Sequence, residues 1–136
     1  MKYQKELSQI PQCPPSNAVE RKQESYRFSF DPLGEDSFIP QGVKDPSRVS
    51  RESEERIKCS LIGLSFYYSR DSAIENYQNI RVIKNIKKAK IGSHLAVGVL
   101  EEEDGLQTPI SKSGHFDLHE YNGVVLHPKF KILSPL

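Results

Sequence analysis

Apolar and polar side chains first fall into register at Ser25-Tyr26-Arg27-Phe28-Ser29-Phe30, where three rings share one side of an extended chain and Arg27 and Ser29 take the other. That period of two predicts a strand, and Asp31-Pro32 ends it. Before it, residues 1–24 carry Pro11, Pro14, Pro15 and only isolated apolar positions, which cannot offset ordering entropy with a core of their own. They are expected to be a flexible or docking arm ahead of a single domain over residues 25–136. From Leu33 to Val49 the glycines and prolines surround one apolar pair, Phe38-Ile39, as in a long loop with an anchored turn.

Two helices are expected next. Ser50 suits an N-cap, with Glu52, Glu54 and Glu55 near the positive end of the dipole, Ile57 and Leu61 on one face, and Gly63 as the stop. Ser72-Ala73-Ile74-Glu75 has the form of a capping box, and Ile74, Tyr77, Ile80 and Ile83 keep helical spacing to an end near Lys88. Between them, Leu64-Ser65-Phe66-Tyr67-Tyr68 has the ring density of a buried strand. His94 to Leu100 and Leu106 to Ile110 read as strands joined by a solvated turn at Glu101–Gly105. Together these predict an α+β fold, a mostly antiparallel sheet of five or six strands packed with two helices.

The C-terminal segment crosses Tyr121-Asn122-Gly123, a hairpin signal. A three-residue loop with Gly123 left-handed pairs Leu118 with Leu126 and Glu120 with Val124. It puts His115, Asp117 and His119 on the face shared with His127, and Asp117 about 5 Å from His127 between Cβ atoms. A carboxylate there can orient an imidazole for proton transfer, so Asp117, His119 and His127 are the candidate catalytic residues of a hydrolase. The competing expectation is the polar, solvated side of a hairpin.

Composition narrows the classes. The chain has 136 residues, 36% hydrophobic and 27% charged, with a net charge of +1. That near balance lacks the broad positive field of many nucleic-acid binders, and the short cluster Arg81, Lys84, Lys87, Lys88 and Lys90 reads as a solvated helix face, so nucleic acid is not an expected partner. No apolar run spans a bilayer and the first residues lack the apolar core of a secretory signal; a soluble, cytoplasmic protein is expected, with no membrane partner. Cys13 and Cys59 stand too far apart for a recognised metal spacing and are expected to be reduced; neither cofactor nor metal is expected.

Gly63-Leu64-Ser65-Phe66-Tyr67-Tyr68-Ser69 and the capped helix after it resemble the strand-to-helix step of ADP-ribosyltransferase-type folds, in which an aromatic, serine-bearing strand lines the nicotinamide pocket. The resemblance implies nucleotide-binding roles for Arg27, Ser65 and Tyr67, with Tyr26-Arg27 on the strand that contacts the nucleotide. It supplies no catalytic glutamate beyond Glu120 as a stand-in. Against these enzyme readings stands a small partner-binding or regulatory protein without catalysis, whose most natural partner is another protein, a second copy of this chain included. The irregular arm and the long Gly/Pro loop, both able to order on a partner, favour it.

Overall fold

The computed structural model describes residues 1–136. In chain order the elements are α1 (Gln4–Leu7), β1 (Gln23–Ser29), α2 (Gln41–Lys44), α3 (Pro46–Ser50), α4 (Glu55–Ile62), β2 (Leu64–Tyr67), α5 (Arg70–Val82), α6 (Lys88–Ile91), β3 (His94–Leu100), β4 (Gly105–Gln107), β5 (His115–Glu120) and β6 (Phe130–Pro135). Single 3-10 turns add Glu35–Phe38, Glu102–Asp104 and His127–Lys129. The six strands form one sheet in the order β4-β5-β2-β1-β3-β6, with every pairing antiparallel. The architecture is α+β, and its two longer helices are α4 and α5.

The alternation of β2 and β5 divides the interior. Leu64 and Phe66 pair with Leu118 and Phe116, and with Phe38, Ala96, Leu100, Leu126 and Phe130 they form the largest core on one face of the sheet. The Phe66 and Phe116 rings stack at 5.8 Å. On the other face Tyr67, Ala73 and Leu95 gather Tyr26, Phe28 and Leu136 beneath α5. A third cluster joins Leu7, Ile10, Cys59 and Ile62, so that α1 packs on α4. Gly98 lets β6 close on β3: a Cβ there would stand 2.7 Å from the Phe130 ring.

Local chemistry explains where the elements begin and end. Ser69, three residues before the expected Ser72, is the N-cap of α5, because its hydroxyl accepts from Ser72 N at 3.1 Å. That helix stops at Val82 rather than near Lys88. Ser50 closes α3 instead of opening α4, which starts after Glu54 and ends at Gly63 as expected.

Three larger expectations are corrected. Strands β3 and β4 are not a hairpin: β3 lies between β1 and β6, and β4 pairs with β5 at the opposite edge. The acidic run between them is only partly solvated, since Asp104 is buried, receives Lys129 Nζ at 2.7 Å and accepts Glu101 N at 2.7 Å. The hairpin from His115 to Phe130 does not form either. Gly123 does turn with φ 84°, but β5 already has β4 on one edge and β2 on the other, leaving no backbone edge for a third strand. Leu126 turns into the core instead, and the chain crosses to pair β6 with β3. Finally, Cys13 and Cys59 are joined by a disulfide rather than reduced.

The arm is held at several points. Lys2 N donates to Glu120 O, Val19 and Gln107 exchange backbone hydrogen bonds beside β4, and Cys13 is tied to α4. No helix is long and apolar enough to cross a membrane.

Candidate functional site

Between α4 and α5, on the sheet face opposite the large core, lies a cleft of about 270 Å³. Its floor is the polar side of the two strands whose other side is the Phe66–Phe116 stack. Antiparallel register sets Ser65 opposite Asp117 and Tyr67 opposite His115. Ser60 and Leu61 of α4, Ile80 of α5, and Lys90 and Ile91 of α6 form the walls, with Ile39 and Lys44 from the segment after β1.

Strands β1 and β2 share a single paired position, Tyr26 with Tyr67, and beside it Arg27 also lines the cleft. Its Nη1 donates to Ser65 O and its Nε to Ser37 O, each at 2.8 Å, while its carbon lies 5.6 Å from the Phe66 centroid and 5.8 Å from that of Phe38. Both hydrogen bonds go to neutral carbonyls, and no carboxylate ion-pairs with it. Burial pushes its pKa down to about 10, opposed by the more distant charges of Glu120 and Asp117, so it is a cation at neutral pH.

His115 Nε2 lies 2.7 Å from Ser65 Oγ and 3.4 Å from Asp117 Oδ1, and the ring meets Tyr67 edge-on at 5.5 Å. Serine and carboxylate therefore compete for the same imidazole nitrogen. A Ser-His-Asp relay needs them on opposite nitrogens, so the trio is not built to make Ser65 a nucleophile. Asp117 is buried; its Oδ2 accepts from Ser60 Oγ at 2.8 Å and its Oδ1 has no hydrogen-bond partner. Burial raises its pKa, against the opposing pull of His115, Ser60 and Arg27. Burial also pushes Tyr67 up to about 12, with the Asp117 charge adding to it, so its hydroxyl stays a donor.

Arg27, Ser65 and Tyr67, separate in sequence, thus meet in one cleft, and Asp117 joins them. His119 and His127 do not. His119 is buried behind Gly63, against the disulfide, with Nε2 3.8 Å from Cys59 Sγ. His127 sits in the 3-10 turn before β6, and the expected pairing of Asp117 with His127 is absent because that hairpin is absent. Glu120 lies on the core side of β5, where Lys2 Nζ donates to its Oε2 at 2.8 Å. Alternation along the strand sets His115 beside Asp117, but sequence reading missed its contact with Ser65 and missed Ser60 as a ligand of that carboxylate, since both contacts arise from strand and helix packing.

A wider, shallower trough of about 670 Å³ runs over Tyr26, Val97, Val99 and Leu133, but its Lys129 is already spent on Asp104. No family model matches the chain, and no curated protein or solved structure matches it.

Proposed function

We propose that the cleft binds a small anionic ligand with a planar ring, of mononucleotide class. The observation that carries this is Arg27: a cation at the cleft wall whose hydrogen bonds reach only carbonyls is a receptor for a phosphate or carboxylate. Lys44 and Lys90 add two more cations at the rim against the single carboxylate of Asp117, a balance that favours an anion. Phe28, Phe30 and Tyr67 offer flat apolar surface, and Ser37, Ser60 and Ser65 offer hydroxyls beside it. The volume suits a mononucleotide or one end of a larger ligand. In any proton transfer Asp117 is the acid or base, because its raised pKa lets it hold or release a proton nearer neutrality than an ordinary carboxylate does.

The test is a titration followed by amide NMR shifts, with adenosine 5′-diphosphate and inorganic phosphate as separate probes. Saturable shifts at Ser65, Tyr67 and His115, stronger for the nucleotide than for phosphate, are expected. Lys44→Ala with Lys90→Ala, both exposed, should weaken the nucleotide at least about fivefold at low salt, and Arg27→Gln should abolish binding. Unsaturable shifts, or shifts that spare the cleft, would overturn the reading.

A protein partner is the second reading. Val82 and Ile83 are 79% and 77% exposed at the end of α5, next to Lys84 and Lys87, a surface suited to an acidic partner with an apolar centre. A disulfide persists best in an oxidising compartment, so the expected cytoplasmic residence goes with the dithiol form of the chain.

A further inference from the structure

His119 is a buried imidazole without a satisfying partner. It is 2% exposed, its Nδ1 has no hydrogen-bond partner, and its Nε2 faces Cys59 Sγ at 3.8 Å, where a disulfide sulfur offers at best a weak acceptor. Native proteins leave a buried polar group in that condition where strain, redox chemistry or a bound ion gives it a role. The imidazole fits there because residue 63 is glycine; a Cβ at that position would stand 3.1 Å from His119 Cε1.

Three soft donors converge on this point from three parts of the chain: Cys13 from the arm, Cys59 from α4 and His119 from β5, with all ligand atoms within 4.8 Å of one another. Tetrahedral zinc, with bonds of about 2.3 Å to sulfur and about 2.0–2.1 Å to nitrogen, sets its sulfur and nitrogen ligands about 3.6 Å apart. The existing separation of Nε2 from Cys59 Sγ is 3.8 Å, so that pair is already near the spacing. What prevents coordination is the sulfur–sulfur bond itself.

We propose that reduction of the Cys13–Cys59 bond opens a site in which both thiolates and His119 Nε2 hold one Zn²⁺. The reductant is a dithiol, which delivers two electrons and two protons to the disulfide and is itself oxidised to a disulfide. Zinc then displaces the two thiol protons to solvent and takes the Nε2 lone pair, leaving the ring proton on Nδ1. Two thiolates cancel the charge of the ion, so the assembly is neutral and its burial carries no net-charge penalty. Cys13 is the half-buried member, and on its side water completes the tetrahedron. The arm is thereby fastened to α4 under either condition, by a covalent bond when oxidised and by the metal when reduced.

The full chain is reduced with a dithiol, freed of it anaerobically and titrated with Co²⁺ and then Zn²⁺, with the fold followed by circular dichroism. One equivalent of Co²⁺ should give a thiolate-to-metal absorption band that Zn²⁺ removes, and the oxidised chain should give none. Cys13→Ser should weaken binding at least 100-fold and His119→Gln about 10- to 100-fold, while His119→Cys, which restores a third soft ligand, should regain it. The proposal is overturned if the folded, reduced chain binds no metal, if His119→Gln binds as tightly as the parent, or if the reduced chain loses its fold and zinc does not restore it.

Discussion

Strands β2 and β5 have two unlike sides. Phe66 and Phe116 stack in a dry core on one, while Ser65, Tyr67, His115 and Asp117 make a polar cleft floor on the other, each one residue away along the chain. Period-two geometry lets the same four backbone pairs anchor the fold and carry the chemistry with little interference, because neighbouring side chains never share a face. Buried rings fix the strands, and the strands fix the distance from Ser65 Oγ to His115 Nε2.

Neighbouring substitutions should separate the two roles. Phe66→Ala empties the stacked core and should cost about 3–5 kcal/mol in urea unfolding, with ligand binding lost only as the fold is lost. A cost below about 1 kcal/mol would mean that the dry face is not what holds the strands.

His119 blurs the division, since it lies on the chemical face yet is packed like a core residue. Burial holds its pKa down at about 4, whereas in the unfolded chain it protonates near 6.5. The unfolded state therefore binds the extra proton between those values, and this contribution to stability is complete above pH 6.5 and lost as pH falls toward 4. The oxidised chain should lose on the order of 3 kcal/mol across that window relative to His119→Gln. Asp117 and Glu120, whose pKa values are raised by burial, push the other way in both proteins and cancel in the comparison. Parallel pH profiles of the two would show that water reaches His119.

The smallest stability effect is expected next door to the largest. Ser65→Ala removes the hydroxyl at His115 and should change stability by less than about 1 kcal/mol, while lowering nucleotide affinity several-fold in the same NMR titration. A large loss of stability with unchanged binding would reverse the assignment of the two faces.

What could be read from the chain without its structure was local. Alternation at Tyr26–Phe28 and the rings of Leu64–Tyr67 marked strands, and Gly63 marked the end of a helix. Sheet order was not legible, because it depends on which backbone edges are already taken. Asn122-Gly123 makes its turn, yet no hairpin follows, since β5 is enclosed by β4 and β2. Arg27, Ser65 and Tyr67 were singled out through a local likeness, and only pairing across the sheet brought His115 and Asp117 to them. The disulfide left no trace in spacing, as Cys13 and Cys59 come together only when the arm packs on α4.

The strand order also sets a timetable for synthesis. Of the six strands β1 is made first, but Gln23 pairs with Leu100 and Ser29 with His94, and its other neighbour contributes a single paired position. A strand destined for the middle of the sheet thus waits, with one backbone edge unpaired, until β3 has been made. Contacts of such separation form slowly because loop closure precedes any gain from pairing. The nascent chain is most open to self-association in that interval, and slower elongation after β1 lengthens it.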